Sequence, residues 1–349
     1  QGDNMPSFFS FIREVGNDNL LMVAVLAAMG MMLVNGWTDA PVSIAPAVTT
    51  GAISFFKATV LAAGMNFLGA ITVMLLGNSV AVSIYEISGF SADIGRLGAI
   101  GIIAALLSVG AWALAALYFG IPTSESHALM AGLLGSALAL GDKAHINGGK
   151  WIEVLIGLLL STLPVALFCR AAVTLAQRFL KHRRTEDKSL KMLQVFGAAV
   201  SCFAHGAQDG QKFAGVFTVL SVLCLRGGNQ VEVPIWTALL SALLISLGML
   251  LGGGRIVCSF SKFAPKGPLK NFIADATSSM VLVILAVFGI PVSTTHAKTS
   301  AILAISPKGQ SWKNAVVGMC ATWGLTFPVC TALAYLFCVV LRLFFFAAG

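Results

Sequence analysis

Long apolar stretches interrupted by short polar breaks constrain this 349-residue chain more than any other feature; they run near residues 19–51, 56–77, 97–141, 151–178, 195–226, 233–252, 272–306 and 312–345. A helix needs about 20 predominantly apolar residues to cross a bilayer, and several of these stretches are longer than one span. Only 10% of the residues are charged and 57% are hydrophobic, with a mean hydropathy of +0.89. A soluble domain carries roughly a quarter charged residues, so this chain cannot cover a water-facing surface. The expected fold is an all-α polytopic membrane protein with lipid as its solvent.

The formal net charge is +8. The Lys and Arg residues sit mostly in short loops between apolar stretches, which reads as membrane topology and not as a nucleic-acid face. The seven cysteines form no CxxC pair and no Cys/His cluster with metal spacing, so they read as small apolar side chains. The chain opens Gln1-Gly2-Asp3-Asn4-Met5, which suggests a trimmed or engineered start, and no signal-peptide cleavage site follows. The first apolar stretch is therefore expected to be retained.

The chain resembles itself. Gly36-Trp37-Thr38-Asp39 returns as Gly206-Ala207-Gln208-Asp209, and Gly120-Ile121-Pro122-Thr123-Ser124-Glu125-Ser126-His127 returns as Gly289-Ile290-Pro291-Val292-Ser293-Thr294-Thr295-His296. Asp39 and Ser124 are 85 residues apart and Asp209 and Ser293 are 84 apart. Two unlike motifs that keep their order and separation mark a duplication. The division is 1–177 for the first repeat, 178–194 for a basic linker and 195–349 for the second repeat.

Parity sets the relation between the halves. If 97–119 and 128–141 are the arms of a re-entrant hairpin, each half has three spans and one hairpin, and the second half is inverted. If 97–119 crosses fully, the repeats are parallel. With the N-terminus outside, thirteen Lys and Arg fall on the inner side and six on the outer, which favours inversion by the positive-inside rule. The expectation is two inverted repeats with discontinuous helices at mid-membrane, both termini outside and the linker 178–194 cytoplasmic.

Inverted repeats with helices broken at membrane depth are a transporter architecture. A half-helix N-terminus exposes unpaired N–H groups and the positive end of a dipole, which suits an anion. Proline fits the first turn of such a helix, and Ser or Thr hydroxyls add donors. Capping alone would use one hydroxyl per tip, whereas the second tip has three in a row. Ser124, Ser126, Ser293, Thr294 and Thr295 are therefore the candidate anion donors. Asp39 and Asp209 lie in apolar stretches where a carboxylate is costly unless paired or functional. They are candidate proton or cation sites, sodium included, with Thr38 and Gln208 beside them. A channel would need a continuous pore lining. A hydrolase would need a Gly-x-Ser-x-Gly turn or a metal motif, and ATP would need a Gly-rich loop; none of these patterns is present. The reading is secondary active anion transport with no catalytic residues and no cofactor beyond a coupling ion.

The Gly-x-x-Asp segments, the Phe203-Ala204-His205-Gly206-Ala207-Gln208-Asp209 run and the Gly-x-Pro-x-Ser-x-x-His segments resemble the PiT inorganic phosphate transporter family over nearly the whole chain. The resemblance implies an inverted-repeat symporter, commonly a homodimer in the plasma membrane, that takes up phosphate with sodium or protons. Sulfate or another tetrahedral oxyanion is the alternative cargo. The chain departs from the family in ways that matter. Thr38 and Gln208 replace the Asn of Gly-Ala-Asn-Asp, and Glu125 and Ser126 stand where the family has two Thr. Lys212 stands where Asn is usual, and Lys298 follows His296 by two residues. These departures suggest that Lys212 and Lys298 supply charge that sodium supplies in relatives, with Glu125 pairing one of them or carrying a coupling proton; the plainer reading has both lysines snorkelling to an interface. His127, His205 and His296 read as structural histidines, Arg170 as a snorkelling side chain, and Trp151 and Trp312 as interfacial anchors.

Overall fold

A computed structural model describes residues 7–119, 123–179, 188–225 and 233–346. The tip residues 120–122 and the linker residues 180–187, with Lys181, Arg183 and Arg184, lie outside the described residues, as does Arg226. Among the described residues the regular structure is entirely helical.

The first half holds α1 (Phe8–Asn17), α2 (Asn19–Thr38), a 3-10 turn (Ala40–Ser43), α3 (Ala45–Thr49), α4 (Phe55–Leu76) and α5 (Ser79–Ser88), then α6 (Gly95–Phe119), α7 (Glu125–Leu140), α8 (Gly148–Leu160) and α9 (Leu163–Phe179). The second half holds α10 (Lys188–Leu225), α11 (Ile235–Leu250), α12 (Gly254–Ser261), α13 (Pro268–Val287), α14 (Thr294–Ile305) and α15 (Gln310–Phe346). Among the described residues six helical segments are long and apolar enough to cross a membrane: Asn19–Ser43, Phe55–Leu76, Ala92–Ala116, Gly148–Phe179, Pro268–Val287 and Gln310–Phe346. The pair α11–α12, bent by 69° at a break that contains Gly252 and Gly253, is a seventh if it is counted as one span.

The halves differ at their equivalent aspartates. α2 stops at Thr38, and Pro41 and Pro46 sit in the first turns of the two short helices that follow. Proline lacks the N–H an uninterrupted helix needs and disfavours helical geometry in the residue before it. At the matching offsets after Asp209 stand Gln211 and Val216, and α10 runs through Asp209 for 38 residues without a break. The expected mid-membrane discontinuity is thus present at Asp39 and absent at Asp209, because only the first copy carries the prolines.

The two halves exchange packing partners. α2 packs on α11 and α4 packs on α10, so the helix that carries the Gly-x-x-Asp segment of each half lies against the next long helix of the other. α7 packs on α15 and α14 on α9, which exchanges the tip helices in the same way. Glycines permit the tight crossings. A Cβ on Gly36 would strike the Ile245 carbonyl and one on Gly248 the Leu33 carbonyl; Gly69 and Gly206 face the carbonyls of Phe203 and Asn66 in the same manner. Small residues at crossings are how membrane helices gain packing that the hydrophobic effect cannot supply.

α15 lies along both tip helices. From its N-terminal end, Trp312 Nε1 donates to the Leu303 carbonyl at the far end of α14 (2.9 Å), and Trp323 stacks on His296 at the start of α14. Phe327 then meets His127 at the start of α7, Thr331 donates to the Ala131 carbonyl (3.2 Å), and Arg342 donates to the Ala139 carbonyl near the end of α7 (2.7 Å). The tip helices therefore run in opposite directions along α15 with their N-termini facing each other.

Several expectations need correcting. Trp151 is buried against Phe327 and is no interfacial anchor. The stretch 151–178 is two helices, broken at Ser161-Thr162 ahead of Pro164. Arg170 donates to the Ala304 carbonyl (3.0 Å). The cysteines are all free; four are buried, whereas Cys258 and Cys320 are exposed.

Candidate functional site

The two tips meet through their capping serines. Ser124 Oγ accepts from the His127 N–H (3.1 Å) and Ser293 Oγ from the His296 N–H (3.0 Å), so each serine starts its helix. Ser293 Oγ then donates to Ser124 Oγ at 2.6 Å, which joins the tips cap to cap. The imidazoles of His127 and His296 lie edge to face with centroids 5.1 Å apart. Both tips are braced. Trp112 Nε1 donates to Thr123 Oγ1 (2.6 Å) on the first, and Ser83 Oγ donates to the Gly289 carbonyl (2.6 Å) on the second. Gly289 has φ +73° and a Cβ there would press on Ser79, so the second tip needs glycine at its turn. Gln208 Nε2 donates to the carbonyls of Leu282 (3.1 Å) and Ile290 (3.4 Å); this residue props the second tip from α10.

The carboxylates surround this junction. Thr295 donates to Asp39, and Thr38 meets Glu125. Asp209 is the most heavily bonded. Its Oδ1 accepts from Ser126 Oγ (3.2 Å) and Lys212 Nζ (2.7 Å), and its Oδ2 accepts from Asn35 Nδ2 (3.0 Å) and faces His205 Nε2 (3.3 Å). His205 Nδ1 in turn bonds Asn66 Oδ1 at 2.7 Å. Lys212 also donates to Ser126 Oγ (2.7 Å) and to the Val292 carbonyl. Lys298 pairs with Asp275 and reaches Ser201 Oγ (3.0 Å) and the Ser43 carbonyl (3.4 Å).

Every candidate from the sequence except Thr38 is buried here, and Thr38 is half-buried. Two expectations fail. Lys212 and Lys298 do not snorkel, being 1% and 2% exposed, and Glu125 pairs with Thr38 and not with a lysine. Asp275 went unnoticed although it too is a carboxylate in an apolar stretch, and the rule that singled out Asp39 would have found it. Asn35 and Asn66 are polar in apolar stretches and carried a weaker form of that signal. Ser43 and Ser201 carried none.

Among the described residues, Asp39, His205 and Asp209 could each turn one ligand atom toward a shared metal ion. A cavity lined by Asp39, Ser43, His205, Thr295 and Lys298 holds about 10 Å³, at the lower limit for one water molecule. Asp39 Oδ2, Glu125 Oε2, Gln208 Oε1 and Thr294 Oγ1 are buried with no hydrogen-bond partner. The site is closed in this conformation, and its polar groups are not all used by the protein itself.

Opposed helix N-termini rich in hydroxyls, sealed at the centre of a polytopic helical bundle, are the anatomy of a membrane carrier. The chain belongs to the phosphate transporter family, whose profile matches residues 35–334, and its relatives are transporters, not enzymes. It is 28% identical over 333 residues to a "Probable low-affinity inorganic phosphate transporter" of Bacillus subtilis (strain 168), covering 93% of this chain and 98% of that one. A protein of the same name in Rhizobium meliloti (strain 1021) is 32% identical, covering 82% and 85%. Among solved structures, one described as "The sodium-dependent phosphate transporter" shares the fold, with a TM-score of 0.82 at 19% identity over 93% of this chain and 100% of that one.

Proposed function

We propose that this chain is a secondary active symporter of inorganic phosphate, with the anion bound between the tips of two inverted repeats. The observation that carries the reading is the cap-to-cap meeting of Ser124 and Ser293 at the ends of antiparallel helices. Two dipoles point their positive ends at one spot, and Ser126, Thr294 and Thr295 surround it with hydroxyls. An anion there would satisfy groups that otherwise repel. The antiparallel course of α7 and α14, which descend from one duplicated motif, supports inversion of the repeats within 1–177 and 195–349. The Lys and Arg bias supports a cytoplasmic linker 178–194 with both termini outside, in the plasma membrane, and the family resemblance supports a homodimer. Because Ser124 and Ser293 touch cap to cap, cargo enters only when the tips part, and access alternates by movement of one repeat against the other.

Asp39, Asp209 and Glu125 are the carboxylates for coupling. Asp209 already has Lys212 as its counter-charge, so Asp39 and Glu125, each with a free oxygen, are the pair left to take a coupling ion. The deciding experiment is uptake of radiolabelled phosphate into proteoliposomes with unlabelled sulfate as competitor. Saturable phosphate uptake that sulfate leaves unchanged supports the reading. Dominant competition by sulfate reassigns the cargo to a fully ionised oxyanion.

A further inference from the structure

Lys212 and Lys298 occupy two buried nests of the same chemical composition. The Lys212 ammonium is held by Asp209 Oδ1 (2.7 Å), Ser126 Oγ (2.7 Å) and the Val292 carbonyl. The Lys298 ammonium is held by the Asp275 carboxylate, Ser201 Oγ (3.0 Å) and the Ser43 carbonyl (3.4 Å). Each nest offers one carboxylate, one serine hydroxyl and one main-chain carbonyl, all through oxygen. An ammonium has three donors and no acceptor, so three oxygens complete it. The same oxygen set with one negative charge is what a small hard metal cation takes from a protein.

The nests also share their placement. The first gathers α10, α7 and the turn of the second tip; the second gathers α14, α13, α10 and the 3-10 turn after Asp39. Both therefore bridge the two halves at the tips. A buried ammonium needs three acceptors wherever it sits; what the two nests share beyond that is that each draws its oxygens from both halves of the chain.

We propose that Lys212 and Lys298 are tethered cations whose ammonium groups fill two oxygen nests suited to sodium, so that this carrier works without a sodium gradient. The inference rests on the anion-transport reading. It makes the positive charge beside the cargo part of the chain, present in every step of the cycle. It also predicts what removal of the tether does: the oxygens remain and a free cation can enter.

The test uses the full chain in proteoliposomes, with radiolabelled phosphate and with potassium or choline replacing sodium at equal ionic strength. The unsubstituted protein takes up phosphate at the same initial rate with and without sodium. Lys212→Ala loses uptake in sodium-free medium, and sodium raises it by about tenfold, within the usual range for coupling between two ligands; Lys298→Ala behaves likewise. A second measurement needs no transport. In detergent, sodium raises the unfolding temperature of Lys212→Ala relative to choline and leaves the unsubstituted protein unchanged. Sodium-dependent uptake by the unsubstituted protein overturns the proposal, as does indifference of both variants to sodium in both assays. Should the alanine variants fail to fold, Lys212→Gln and Lys298→Gln, which keep a polar side chain in each nest, take their place in both assays. Absence of phosphate and sulfate uptake in every cation would sink the transport reading instead, and the unfolding measurement would still test the nests.

Discussion

A buried carboxylate is judged by what neutralises it. Asp209 and Asp275 each pair with a lysine, whereas Asp39 and Glu125 each meet a threonine hydroxyl and pair with no lysine. Removing one partner of a buried ion pair strands the other and costs about 3–5 kcal/mol. Asp209→Asn should therefore destabilise strongly, because it leaves the Lys212 ammonium without counter-charge. Asp39→Asn should destabilise little, yet impair transport. Thermal unfolding in detergent beside uptake separates the two; equal loss of stability in both would show that Asp39 has an unrecognised cationic partner. At the tips, Ser293→Ala removes a cap worth about 1 kcal/mol and the cap-to-cap bond as well. It should lower phosphate affinity by more than Thr299→Ala, nearly two turns further along α14, as read by the concentration for half-maximal uptake.

The element scale turns on glycine and proline. Gly206 lets α10 lie on the Asn66 carbonyl of α4, while Gly64 on α4 has open space beside it. Gly206→Ala should cost about 1–3 kcal/mol as overpacking and Gly64→Ala nothing measurable, as melting temperatures in detergent would record. The prolines after Asp39 explain why α2 stops where α10 continues. That contrast was legible in the sequence once the duplication was aligned, because Pro41 and Pro46 have no counterparts after Asp209. The crossings were not legible: several of the chain's glycines, Gly64 among them, touch nothing, and no local feature separates those from the ones at a helix contact.

Across the whole molecule, the pairing of Ser124 with Ser293 closes the site. If access requires the tips to part, locking them must stop transport. With exposed Cys258 and Cys320 replaced by Ser, a Ser124→Cys, Ser293→Cys double variant should lose uptake on oxidation and recover it with reductant. The capping oxygens lie 2.6 Å apart, close enough for a disulfide of about 2.05 Å to form with little movement. Unchanged uptake by the oxidised, cross-linked protein would place the moving boundary elsewhere.

The sequence by itself determined the membrane class, the repeated motifs, the tips with their capping serines, and the carboxylates at Asp39 and Asp209 inside apolar stretches. Each of these is a local property: a run of apolar residues, a repeated motif, or a charged group within one stretch. Only the tertiary structure decided the partners. Glu125 found Thr38 across 87 positions, and Asn35 found Asp209 across 174. Lys298 could have reached solvent or another carboxylate as readily as Asp275. Those choices come from how the helices of one repeat cross those of the other, and the crossings depend on close packing between surfaces that no single stretch contains.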